Sequence, residues 1–251
     1  SATRKPPLVF VHGGYCDAWC WEPYFLPWFA AHGYPAHSLS LRGHGTSGGK
    51  DTLYITSLDD YVADVEHVAS TLSAPPILIG HSIGAAVCER MLATRPLRGA
   101  ALVAPVPPSG LMPVAARLAA FNPDYLPHMA QLDPGRMSAA MMTTLRPFYF
   151  SDAVEPEMLA EALKHLSGES PRVLFDLSLR LHWAPAKRPE TPVFVLGAQG
   201  DRISTPEDTR ATASHHHTTA TIVPGMAHMM MLDPAWQTAA KALTDWVTTV
   251  A

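Results

Sequence analysis

Gly80-His81-Ser82-Ile83-Gly84 sets a serine between two glycines at the spacing G-x-S-x-G. The apolar run Ile77-Leu78-Ile79 precedes it, and Ile83, Ala86, Val87 and Met91 follow at helical spacing. The pentapeptide therefore falls on a strand-to-helix turn, the setting in which such a serine acts. A turn that tight leaves no room for side chains beside Ser82, and the flanking glycines meet that demand. It presents the hydroxyl at the carboxyl edge of a sheet, with the positive end of a helix behind it. A serine hydroxyl is a poor nucleophile until a base takes its proton, and the base needs a carboxylate to orient it. The chain holds 13 His, so position has to choose among them.

The elements that must position this serine are legible as runs of two kinds. Leu8-Val9-Phe10-Val11, Pro76 to Gly80, Ala100 to Val103 and Pro192 to Gly197 are short and apolar on both faces, as strands buried in a parallel sheet are. Ala36 to Ser40 and Thr219 to Val223 are weaker versions of the same pattern. Between them, Leu58, Tyr61, Val62, Val65, Val68, Ala69 and Leu72 form a helical stripe, which Ser57 and Asp60 would start as a capping box. Trp236, Ala239, Ala240, Leu243, Trp246 and Val247 form another, with Asp233-Pro234 read as its cap and first residue. Alternating strands and helices predict an α/β protein with a mostly parallel, doubly wound sheet of about six strands. Residues 106–190 break the rhythm: Met-rich, Pro-punctuated and with only short helical windows, they read as a helical lid inserted into a core made of residues 1–105 and 191–251. Val173 to Trp183 is read as helix.

Composition narrows the classes further. The chain has 251 residues, 47% of them hydrophobic and 16% charged, too apolar for a disordered chain. A net charge of -4 speaks against a nucleic-acid partner, and no run approaches the ~18 apolar residues of a membrane span. Cys16, Cys20 and Cys88 cannot all pair and read as buried thiols. His215-His216-His217 is an isolated internal triple, so neither a metal nor a cofactor is expected. No signal peptide is visible, which points to a cytoplasmic protein, while a start at Ser1 in place of Met leaves room for a removed leader. Oligomeric state has no signature.

Leu8 to Gly14, Leu41-Arg42-Gly43-His44-Gly45-Thr46-Ser47 and the Ser82 pentapeptide together resemble the α/β-hydrolase superfamily, in its serine carboxylesterase and lipase-like branch. The resemblance covers nearly the whole chain, less the family's amino-terminal strand pair. Ala18-Trp19-Cys20-Trp21 is similar to a segment of the plant methylesterases and hydroxynitrile lyases. In that family acid and base follow the serine in chain order, which the resemblance places at Asp201, in Gly197 to Ile203, and His228, in Val223 to His228. It also implies an oxyanion hole from the backbone N–H groups of Gly14 and Ile83. His12, His44 and His81 read as turn or supporting residues. The partner implied is a small-molecule ester, hydrolysed through an acyl-enzyme.

Serine at position 82, where haloalkane dehalogenases and epoxide hydrolases carry Asp, argues against both. Gly13 and Met229 replace the Thr and Lys typical of hydroxynitrile lyases. C–C bond hydrolases, cofactor-free dioxygenases and ligand sensors of the same fold stay as alternatives. Tyr15, Met142, Trp183 and Met229 are expected to line an apolar substrate pocket, and Met112, Met129, Met137, Met141, Phe121, Phe148, Tyr149 and Phe150 are further candidates.

Overall fold

The computed structural model describes residues 5–95, 97–132, 138–179 and 191–251. Six strands, β1 (Leu8–Val11), β2 (Ala36–Leu39), β3 (Ile77–His81), β4 (Gly99–Val103), β5 (Val193–Ala198) and β6 (Ala220–Val223), form one sheet in the order β2-β1-β3-β4-β5-β6. Every neighbouring pair is parallel. The chain steps outward from β1 to β2, then returns past β1 and runs the other way, so direction reverses between β1 and β3. In open α/β sheets ligands bind beyond the carboxyl ends of the strands at such a reversal.

The pleat divides the core as a period of two requires. Leu8, Phe10, Ile77, Ile79, Ala101, Val103, Leu196 and Ala198 face one apolar layer. Val9, Val11, Leu78, Leu102 and Val195 face the other. The first layer is closed by α1 (Phe25–Ala31) and by α10 (Trp236–Val250), with Phe10 packed against Trp21 and Phe29 at ring separations of 5.1 and 5.4 Å. The second is closed by α2 (Leu58–Thr71), α3 (Ile83–Leu92) and, through Ala213, α9 (Pro206–His215). Ser57 and Asp60 make the expected capping box of α2. All three cysteines are free and buried.

One cap differs from the sequence reading. The last helix starts at Trp236, not at Pro234, and Asp233 does not cap it. Asp233 Oδ1 instead accepts from Ala235 N–H (2.9 Å) and Oδ2 from the Ser151 hydroxyl (2.5 Å), so its carboxylate is used up in a turn before the helix starts.

Among the described residues, five helices lie between β4 and β5: α4 (Leu111–Phe121), α5 (Tyr125–Ala130), α6 (Ala139–Tyr149), α7 (Pro156–Lys164) and α8 (Pro171–Ser178). Val114, Leu118, Tyr125, Leu145 and Phe148 give them a small core of their own. No helix among the described residues is long and apolar enough to cross a membrane.

Candidate active site

Ser82 sits where β3 ends and α3 begins, with φ 52° and ψ -116°. A non-glycine residue held there stores roughly 1–3 kcal/mol of strain, which the surroundings must over-determine. They do so by packing. A Cβ on Gly80 would run into the Gly84 carbonyl, and one on Gly84 would lie 2.5 Å from the Val11 carbonyl oxygen of β1. The Ser82 N–H donates to the Val103 carbonyl of β4 (2.9 Å), pinning the turn from the other side. Ile83 is the first residue of α3, where a helix leaves its N–H groups without partners of its own.

The loop after β5 brings in Asp201 and the loop after β6 brings in His228, both buried. Asp201 Oδ2 accepts from His228 Nδ1 at 2.8 Å, while Oδ1 accepts the N–H groups of Ile203 (2.8 Å) and Ser204 (2.9 Å). Three donors on one buried carboxylate set its plane. Ser204 is held in turn, its hydroxyl lying 2.9 Å from the Ala104 carbonyl and 2.8 Å from that of Pro105. His81 stacks obliquely on the His228 ring (4.6 Å) and donates through Nε2 to the His228 carbonyl (3.0 Å). Burial, then the neighbouring His228, pushes the pKa of His81 well below the usual histidine value, so it stays neutral.

Ser82, Ile83, His228 and Gly14 all line one cavity of about 230 Å³. Its other walls come largely from the inserted helices, among them Leu111, Leu118, Tyr125 and Leu174. A second, almost wholly apolar cavity of about 80 Å³ lies next to it, walled by Trp19, Cys20, Met142, Phe150 and Leu166. Gly14, Tyr15, Met129, Tyr149 and Met229 border both. Tyr149, at this border, shares a 2.8 Å hydrogen bond with Tyr125 of the larger cavity, and burial raises both pKa values, that of Tyr125 to about 12. Both therefore remain uncharged beside His228, whose ring meets that of Tyr149 edge-on at 5.9 Å.

Of the residues expected from sequence, Ser82, His228, Gly14, Ile83, Tyr15 and Met229 meet at the larger cavity, Asp201 holds His228, and Met142 lines the smaller one. Met129, Tyr149 and Phe150 also face cavities. Met141 and Phe148 are buried in packing, whereas Met112 (63% exposed) and Phe121 (79%) face solvent. Trp183 and Met137 lie outside the described residues. No cluster of three or more metal-type ligands occurs among the described residues. Sequence reasoning missed Tyr125 and also Glu169, a fully buried carboxylate of the insertion that reaches the Gly14 loop.

Comparison with known proteins agrees with this fold. The family described as "Alpha/beta hydrolase family" matches residues 8–240. A sequence from Arabidopsis thaliana, provisionally named methylesterase 15, chloroplastic, is 40% identical over 32% of this chain and 18% of its own length. A pyrethroid hydrolase of Sphingobium wenxiniae is 27% identical over 38% of this chain and 34% of its own. The matches thus span a fifth to a third of these relatives. Among solved structures, a monoacylglycerol lipase of Paleococcus ferrophilus superposes with TM-score 0.65 at 24% identity, covering 98% of this chain and 97% of that one. An esterase of Exiguobacterium antarcticum reaches 0.74 at 15% identity, covering 97% and 92%. At such identities these two speak for the fold.

Proposed function

The chain belongs to the alpha/beta hydrolase family, and from that membership we propose that it is a serine hydrolase cleaving carboxylic esters of small to medium apolar substrates through an acyl-enzyme. Ser82 Oγ attacks the ester carbonyl while His228 Nε2 takes its proton. Asp201 holds Nδ1 and balances the imidazolium that forms. The N–H groups of Gly14 and Ile83 receive the charge that collects on the carbonyl oxygen, each such donor supplying about 2.7–4 kcal/mol to the transition state. His228 then protonates the departing alcohol and, in the second half of the cycle, activates the water that releases the acid.

The observation that carries this reading is the 2.8 Å bond from His228 Nδ1 to a buried carboxylate while the His228 ring and Ser82 face one cavity. The pockets favour an apolar substrate, since most of their walls beyond the polar groups near Ser82 are aliphatic or aromatic. Residues 106–190 act as a lid, helices α4 to α8 supplying much of that apolar wall. The scheme needs no cofactor. It is tested by steady-state hydrolysis of p-nitrophenyl esters from acetyl to palmitoyl, with Ser82→Ala as the control. Multiple turnovers that vanish in Ser82→Ala support the proposal. No turnover above Ser82→Ala on any chain length overturns it in favour of a narrower reaction or a ligand sensor.

A further inference from the structure

Glu169 lies just before α8, with its side chain 1% exposed, and reaches across to the core. Its Oε1 accepts from the Tyr61 hydroxyl and from Ser170 N–H, both at 2.7 Å. Its Oε2 faces His44 Nε2 at 3.5 Å and would lie 3.0 Å from a Cβ placed on Gly14. A carboxylate is thus built against the loop whose N–H group, on the reading above, must collect the negative charge of the transition state. Left unbalanced, it would oppose that charge.

The hydrogen bonds of His44 say how the balance is kept. Nδ1 lies 3.0 Å from the Arg42 carbonyl oxygen, which can only accept, so Nδ1 carries a proton. Nε2 then either carries the second proton or aims a lone pair at a buried carboxylate oxygen, in a side chain that is 0% exposed. With Glu169 ionised, as its two donors at Oε1 favour, only the first arrangement is attractive. Burial disfavours the charged ring, but Glu169, followed by the Arg42 carbonyl and then Cys16, outweighs it and raises the pKa of His44; the same pairing, with Tyr61 and Ser170, lowers that of Glu169 against its own burial.

The other groups around His44 do not supply the missing charge. His12, 5.0 Å away ring to ring, donates through Nδ1 to the Gly13 carbonyl and accepts Leu41 N–H at Nε2, which uses it as a neutral ring. Tyr61, at 5.7 Å, spends its hydroxyl proton on Glu169. The Arg42 guanidinium is bound by Asp60 and Asp64. Cys16 Sγ lies within 4.0 Å of His12 and 3.4 Å from the Gly13 carbonyl oxygen; Cys20 and His12 hold its pKa down, to about 5, so it brings negative charge to the site and none of the missing positive charge.

We propose that Glu169 is a positioning residue whose ion pair with protonated His44 holds the oxyanion loop at Gly14 in place and electrically neutral, so that loss of the His44 proton slows acyl transfer. The proposal rests on the serine-hydrolase reading. It predicts an alkaline limb in the activity of the wild-type protein that does not come from His228. Once His44 is neutral, a bare carboxylate faces the developing oxyanion, and kcat/KM falls about tenfold, the size of a like charge several ångströms away in a partly screened site.

The test is the pH profile of ester turnover, and of Ser82 labelling by a fluorophosphonate, in wild type, Glu169→Gln and Cys16→Ala, alongside an NMR titration of the His44 ring in the wild-type protein. Glutamine keeps the shape and can still accept from Tyr61 and Ser170. Support is a limb whose midpoint matches that of His44, above the usual value of about 6.5, which disappears in Glu169→Gln and persists in Cys16→Ala. Overturning results are a limb retained in Glu169→Gln, a limb lost in Cys16→Ala, or a His44 midpoint at or below about 6.5. The last decides the matter even if Glu169→Gln fails to fold. Ser82 that resists labelling at every pH removes the serine-hydrolase reading itself, whereas Ser82 that labels with one profile in wild type and Glu169→Gln removes only this inference.

Discussion

Asp201→Asn tests the orientation of His228 with almost no change in shape. In the wild-type protein Oδ1 is committed to two backbone donors, Ile203 N–H at 2.8 Å and Ser204 N–H at 2.9 Å. An asparagine must keep its oxygen there, because turning the amide over would set its NH2 against both donors. Each buried donor left unpaired costs about 1–3 kcal/mol, or about 2–6 kcal/mol for the two. The amide nitrogen is therefore aimed at His228 Nδ1, where it donates. A ring that accepts at Nδ1 carries its proton on Nε2, the atom proposed to take the proton from Ser82. The base is then blocked by its own proton, and the loss expected is about 10⁴ in kcat, about 5 kcal/mol, with KM changed only a few-fold. Steady-state turnover of a p-nitrophenyl ester gives the magnitude, thermal unfolding shows that the variant is folded, and ¹⁵N NMR of the His228 ring reports which nitrogen is protonated. A folded Asp201→Asn whose kcat stays within tenfold of wild type would refute the assignment of Asp201 as the orienting group.

Gly84→Ala drives a methyl group to 2.5 Å from the Val11 carbonyl oxygen, and backbone cannot swing aside as a side chain does. Overpacking of this kind costs about 1–3 kcal/mol or more, so thermal unfolding should show a Tm several degrees lower, and an unchanged Tm would contradict the packing of α3 on β1. Met142→Trp fills the smaller cavity without touching the larger one. Its kcat/KM for the acetyl ester should stay within a few-fold while longer acyl chains lose about tenfold or more; equal losses on all chains would mean that the smaller cavity holds no substrate. The His44–Glu169 pair should also shape stability. His44 has a raised folded pKa, so its contribution is complete below the unfolded value of about 6.5 and fades as pH rises through the folded one. Glu169 has a lowered one, so its contribution is complete above about 4.5 and fades on acidification. The Tm difference between wild type and Glu169→Gln should thus be widest between roughly pH 4.5 and 6.5 and shrink on either side. A difference independent of pH would show that the pair carries no net charge linkage.

The sheet could be read from sequence because each of its central strands is buried on both faces. Ile77, Leu78 and Ile79 are all 0% exposed, and only an unbroken apolar run satisfies that. The turn at Ser82 was legible for the same kind of reason: the glycines answer a contact between neighbours in sequence. The inserted helices were not legible in this way. They are short, and tertiary docking decides which stripe turns inward, so Met112 and Met129 look alike in the chain while one faces solvent and the other a cavity. Asp233-Pro234 carried a local signal for a cap, but the two carboxylate oxygens go to Ala235 N–H and to Ser151, 82 residues away, and the helix starts at Trp236. Glu169 carried no signal at all. Its neighbours Ser170 and Pro171 begin α8, and the group that explains it, Tyr61, is 108 residues distant.

Four histidines crowd the edge of the sheet beside Ser82, and their hydrogen bonds divide the work. His12 donates to Gly13 and accepts from Leu41, so it ties the loop after β1 to the one after β2 and has no open nitrogen. His81 donates to the His228 carbonyl and leaves Nδ1 buried against Gly13, where a second proton would have no acceptor. His44 carries its charge only because Glu169 faces it. His228 alone pairs one nitrogen with a carboxylate while its ring lines the cavity that Ser82 also faces. A proton-transfer site gains from this arrangement, because the neighbouring rings have their states set by fixed partners and leave one imidazole free to exchange with substrate. It follows that replacing His81 by glutamine, which can still donate to the His228 carbonyl, should cost less activity than replacing it by leucine, which strands that carbonyl. Steady-state kcat for the two variants decides this, and equal losses would mean that the His81 ring itself takes part in the chemistry.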